Sequence, residues 1–180
     1  SSMDEAVVQQ GMSLILEGLG VSLNDRNFAN TPYRYAKVLK EMFDTPEQLW
    51  PTFEEDYRGV IVVKGHVMYT LCPHHMLPVK MTVTMGYSPN GVVIGLSKLP
   101  RLVHDINRKP MLQEELTTKL ADRLFEIKGC RGAAVIIQGD HACMQIRGIK
   151  SVGNMITSAA RGVLTEPASW DNFHALVRGV

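Results

Sequence analysis

The chain has 180 residues, of which 45% are hydrophobic and 21% charged, with a net charge of +1. That profile suits one globular domain with a small helical appendage and excludes a disordered, collagen-like or disulfide-stapled chain. No apolar run reaches the ~18 residues of a membrane helix, and the acidic N-terminal stretch, without an uninterrupted apolar core, is not expected to be a signal peptide. The three cysteines point to a reduced, cytoplasmic setting with metal or catalytic use. Charge is uneven: residues 1–60 carry ten acids and five bases, net −5, and the remainder is net +6. A basic remainder can attract a phosphorylated ligand, whereas the lack of basic runs argues against nucleic acid.

In chain order, residues 4–18 are predicted to form an amphipathic helix with Val7, Val8, Met12, Ile15 and Leu16 inward. A second helix follows a cap at Asn30 or Thr31, with Pro32 in its first turn and Val38, Leu39, Met42 and Phe43 towards a core. Residues 44–58, with Pro46, Pro51 and Glu54-Glu55-Asp56, read as a loop. Val60–Leu71 reads as a strand. Val79–Tyr87 alternates, with Val79, Met81, Val83, Met85 and Tyr87 on one face. Ser88-Pro89-Asn90-Gly91 makes a turn before a short extended piece at Val92–Ile94.

Ser97 is expected to cap a short helix, and Pro110 to sit in the first turn of a longer one carrying Leu112, Leu116, Leu120 and Leu124. Ala133–Gln138 and Ala142–Ile149 then read as strands of a hairpin turned at Gly139-Asp140. Residues 151–164 fit strand or helix, and Pro167 opens a last helix. Helices, two strands, two helices, two strands and a helix make an α+β chain with antiparallel hairpins.

The chemistry concentrates in two segments. In Cys72-Pro73-His74-His75, thiolate and imidazole are preferred zinc donors, and Pro73 forces a rigid corner. Spacing leaves open which histidine is the ligand; in an extended chain the two would face opposite ways. In the second segment, a strand would place His141, Cys143, Gln145 and Arg147 on one face, with Arg147 roughly 13 Å beyond Cys143. Cys72, one of His74 and His75, and Cys143 make three ligands with an open fourth position, the catalytic zinc pattern. Cys130 reads as a small buried hydrophobe, and His66, His104 and His174 stand alone. Lys98 and Arg101 at a helix start are more natural with a bound anion.

Five ordered motifs together resemble the GTP cyclohydrolase I family. They are Thr31-Pro32-Tyr33-Arg34-Tyr35-Ala36-Lys37, Cys72-Pro73-His74-His75, Gly95-Leu96-Ser97-Lys98-Leu99-Pro100-Arg101, Leu112-Gln113-Glu114-Glu115-Leu116-Thr117, and His141-Ala142-Cys143-Met144 with Arg147-Gly148. The resemblance implies a tunnelling fold whose antiparallel hairpins flank two helices. Residues 1–58 are then an N-terminal helical region and loop, and 59–180 the catalytic domain. Subunits of the family close into a β-barrel, a homodecamer with active sites between subunits.

The implied reaction is hydrolysis of GTP to formate and 7,8-dihydroneopterin triphosphate. By position, Cys72, His75 and Cys143 hold zinc, and His74 and His141 move protons. Ser97 serves the ribose rearrangement, Gln113 and Glu114 hold the purine, and Lys98, Arg101, Arg147 and Arg34 hold the triphosphate. Pro73 departs from the family's glutamate, a change expected to alter either the support of the zinc site or the proton affinity of His74, and the short N-terminus is expected to lack the family's regulatory extension. The rival readings are a zinc-clipped oligomeric scaffold and a related purine-ring hydrolase acting on another guanine nucleotide.

Overall fold

The computed structural model describes residues 2–47 and 51–179, and the chain divides into two compact units, Ser1–Pro46 and Glu47–Val180. In the first unit, α1 (Glu5–Gly18) starts at Asp4, whose carboxylate accepts from Val7 N at 3.2 Å. α2 (Thr31–Phe43) carries Pro32 in its first turn, where the missing N–H costs no helical bond, and Asn30 makes no side-chain cap. Leu16 of α1 and Ala36 and Phe43 of α2 are buried. Val7, Ile15 and Val38, expected inward, are instead 59%, 55% and 50% exposed: two helices alone cover only a narrow stripe of each other.

In the second unit, β1 (Thr52–Glu54) pairs antiparallel with β4 (Val92–Ile94). A short strand therefore lies within the segment expected as loop, of which residues 48–50 fall outside the described residues. The main sheet is antiparallel, in the order β2-β3-β5-β6. Its strands are β2 (Ile61–Leu71), β3 (Pro78–Pro89), β5 (Cys130–His141) and β6 (Met155–Gly162). The period-2 reading of β3 holds, with Val79, Met81, Val83, Met85 and Tyr87 all at most 2% exposed.

Those residues, with Val135 and Ile137 of β5, pack under α3 (Lys98–Ile106) and α4 (Gln113–Phe125) through Leu99, Leu102, Leu116, Leu120 and Leu124. The opposite face receives α6 (Pro167–Arg178) through Phe173 on Ala134 and Leu164. Phe173 comes so close to Gly86 that a Cβ there would lie 2.5 Å from the ring, so only glycine admits this packing. The hairpin–helix–helix–hairpin order is the tunnelling-fold unit expected above, and no helix among the described residues is long and apolar enough to cross a membrane.

Three expectations need correction. Ser97 precedes α3 but makes no side-chain cap. α4 starts at Gln113, after Pro110, and leaves Leu112 44% exposed. The largest change is after His141. β5 runs straight through Gly139 and Asp140, which pair with Met81 and Lys80, and Ala142–Gln145 is a short helix, α5. The register sets Val79 against His141, so Ala142 would fall opposite Pro78. Proline has no N–H to give the ladder. The chain therefore leaves the sheet and returns only as β6, where Gly139 pairs with Met155.

Candidate metal centre and its pocket

Cys72 follows β2, and residues 73–76 turn the chain into β3. Met76 N donates to Cys72 O and Cys72 N to Leu77 O, both at 2.9 Å. Met76 takes φ 54, a conformation costly for a residue with a Cβ. His74 and His75 are thus on a tight turn, not an extended strand. Their rings lie 6.5 Å apart at 87°, so the opposite-face argument does not apply.

α5 brings Cys143 to this turn. Ligand atoms of Cys72, His75 and Cys143 all lie within 4.8 Å of one another, and they are the one group of this kind among the described residues. Tetrahedral zinc with bonds of about 2.0–2.3 Å needs ligand–ligand edges of roughly 3.5–3.8 Å. The donor set therefore closes on an ion with shifts of about 1 Å, and its two thiols and imidazole are the chemistry zinc prefers. Burial, then the neighbouring Cys72 thiol, push the Cys143 thiol above its usual range; a cation displaces such protons.

Arg147 does not lie at the far end of a strand. The α5 turn folds it back, and its Nη1 donates to His75 Nε2 at 3.0 Å; a guanidinium cannot accept, so the imidazole must, and because a neutral imidazole has one lone pair a metal on His75 would replace this contact. His74, Gln113, Glu114 and His141 line one cavity of about 170 Å³ with the three ligands. Gln113 opens α4 only 3% exposed, while Glu114 is exposed. The Gln113 Nε2 amide donates to Ile137 O (3.1 Å), Met155 O (3.1 Å) and Thr157 Oγ1 (3.0 Å). Its Oε1 faces His141 Nε2 at 2.8 Å. Thr117 and Thr157, joined at 2.7 Å, complete this network. The sequence reading missed both: Thr117 sits at i+4 from Gln113 on α4, but nothing local marks Thr157.

Ser97, Lys98 and Arg101 are not at this pocket. Leu96 and Leu99 beside them line a separate apolar recess with Ile61 and Tyr87. Tyr87 is eight residues along β3 from Val79, which pairs with His141, a span of roughly 26 Å. Arg34 is exposed on α2 of the first unit. Cys130 is occupied elsewhere: its Sγ donates to Gly132 O at 3.1 Å, and burial pushes its thiol up to about 11.

Comparison with known proteins gives the same picture from another side. The sequence model of GTP cyclohydrolase I matches residues 8–178. The GTP cyclohydrolase 1 of Clostridium perfringens (strain ATCC 13124) is 37% identical over 94% of this chain and 95% of its own length. That of Lysinibacillus sphaericus is 38% identical over 92% of each. Among solved structures, the archaeosine synthase QueF-Like in the apo form aligns with TM-score 0.46 and 15% identity over 58% of this chain and 96% of that one. With a match across nearly its whole length and a Cys-His-Cys donor set gathered at one cavity, the chain belongs to the GTP cyclohydrolase I family.

Proposed function

We propose that this chain converts GTP to 7,8-dihydroneopterin triphosphate and formate, with zinc held by Cys72, His75 and Cys143. The observation that carries the reading is the gathering of that donor set, His74, His141 and Glu114 around one cavity. A zinc ion there supplies Lewis acidity and shifts the ionisation of water towards neutral pH. Removing C8 of the guanine breaks its bonds to both ring nitrogens, and each departing nitrogen takes up a proton. His74 and His141 are the imidazoles of the cavity that the donor set leaves free to carry those protons. Glu114, exposed at the start of α4, offers its carboxylate to the N–H edge of the guanine, and Gln113 stands in the same wall.

Arg147, Lys98, Arg101 and Arg34 pair with the triphosphate, and Ser97 serves the ribose rearrangement. The distance of Ser97 and Lys98 from the donor set in one chain supports a site shared between copies. The two sheet edges, β2 and β6, expose Val67 (47%), Tyr69 (52%) and Ile156 (67%). Such edges favour pairing with further copies, in our reading as a homodecamer. Incubating the zinc-loaded protein with GTP tests the function: formate and a fluorescent pterin should appear in equal amounts. Release of phosphate without formate would refute it, and formate from another guanine nucleotide alone would favour the related hydrolase.

A further inference from the structure

We infer that Gln113 is a positioning residue that fixes the tautomer of His141, and that Gly139 is glycine to make room for this contact. The inference rests on the proton-carrying role proposed above for His141. Its first step is the orientation of the Gln113 amide. Ile137 O and Met155 O can only accept, so the NH₂ group must face them and the carbonyl oxygen must face His141. The loop closes through the hydroxyls. Thr117 Oγ1 donates to Gln113 O at 2.7 Å, which leaves Thr157 to donate to Thr117 and to accept from the amide.

The second step concerns the imidazole. An amide oxygen only accepts, so His141 Nε2 must carry hydrogen at the 2.8 Å contact. A neutral His141 therefore holds its hydrogen on Nε2 and has its lone pair on Nδ1. Proton uptake and release run through Nδ1 alone. Without this contact both neutral tautomers would be populated, and only one presents its lone pair correctly.

The third step is steric. Gly139 lies on β5 directly beside the contact, and a Cβ there would sit 2.0 Å from Gln113 Oε1 and 3.0 Å from His141 Nε2. The amide has no alternative place, because its two N–H groups are shared among three acceptors. A single methyl at residue 139 thus displaces the carbonyl from the imidazole while leaving every ligand and every charged group in place.

The test uses zinc-loaded protein labelled with ¹⁵N-histidine, with His141 assigned among the six histidines by a His141→Asn variant. In the wild type, nitrogen NMR above the titration range should show one tautomer for His141, with hydrogen on Nε2. In Gly139→Ala the other tautomer should appear, and kcat for GTP should fall about 10–100-fold, as for loss of an orienting partner, with KM within about threefold. Thr157→Val, which removes one acceptor of the amide, should act the same way more weakly and stands in if Gly139→Ala does not fold. Zinc content should stay at the wild-type value in both. Hydrogen on Nδ1 in the wild type, or a lowered kcat with an unchanged tautomer, overturns the inference. Absence of GTP turnover by the wild type would refute the proposed reaction instead, and the wild-type spectrum would still decide the tautomer.

Discussion

Removing the metal should measurably loosen the protein, and the size of the effect follows from the ligand positions. Cys72 and His75 belong to the β2–β3 turn, whereas Cys143 is on α5 some seventy residues later. A bound ion would therefore clip together two segments that the sheet and the Arg147–His75 contact already bring near, and in the unfolded chain the three donors are not assembled. At zinc a hundredfold above its dissociation constant, binding to the folded state alone adds ~2.7 kcal/mol. For a chain of this length each kcal/mol is worth about 2–4 °C in Tm, so a chelator should lower Tm by about 5–11 °C. Cys143→Ser should melt near the chelated wild type, bind no stoichiometric zinc, and gain nothing from added metal. Cys130→Ser should keep the full chelator response, since a serine hydroxyl can repeat the bond to Gly132 O. The assay is thermal unfolding at fixed protein concentration, with zinc measured by elemental analysis. Equal Tm with and without chelator, or one zinc per chain in Cys143→Ser, would refute the assignment of this donor set.

Three further outcomes are expected. His141→Ala should lower kcat about 10²–10⁴-fold with zinc retained, while Arg147→Ala, losing one charge-assisted contact of about 1.5–3 kcal/mol, should mainly raise KM; steady-state kinetics with GTP would expose exchanged roles. Inactive Lys98→Ala and inactive Cys143→Ser chains should regain activity when co-assembled, if their two positions complete one site from different copies; no recovery in verified mixed oligomers would count against sharing. His66 and His104, with rings 5.7 Å apart, are both held below 6.5, chiefly by burial, and His66 also by the neighbouring His104. The unfolded chain therefore binds protons that the folded one refuses, so stability should rise with pH up to about 6.5 and be lost below it. Asp105, raised mainly by burial, works in the opposite sense just above 3.8. Denaturant midpoints at several pH values should show a shallower rise in His66→Gln than in the wild type.

What the sequence disclosed, and what it hid, follows from the range of each interaction. The alternation of Val79–Tyr87 was legible because a strand buried on one face must show period 2, and Leu116, Leu120 and Leu124 were legible because a helix stacks i and i+4. The Cys72-to-His75 spacing announced a metal corner for the same local reason. The segment after His141 misled because its apolar and polar residues alternate as a strand's do. What ends the strand there is Pro78 of a different strand, more than sixty residues away. The Gln113 contacts were out of reach for the same reason: its partners Ile137 and His141 on β5 and Met155 and Thr157 on β6 come from two strands that only the folded chain brings to α4. Sequence spacing likewise put Arg147 far from the ligands, when α5 turns it back onto His75.

The placement of the proposed proton carrier and metal ligands at the end of a ladder has a physical logic. His141 is the last residue of β5, locked to Val79 by an unshifted register from Val79–His141 to Ser88–Gly132. A slip of one residue would turn Val135 and Ile137 out of the core, so the whole buried face holds His141 in place. Proton transfer demands such placement, because a carrier misaligned by about 1 Å loses much of its effect. The proposed metal ligands would tolerate more. Cys72, His75 and Cys143 sit on a turn and a one-turn helix, segments that can move by the ~1 Å needed to close on an ion. The point where Pro78 stops the ladder is thus where the chain passes from a rigid support for the imidazole to an adjustable one for the thiol, across the single residue, Ala142, that separates His141 from Cys143.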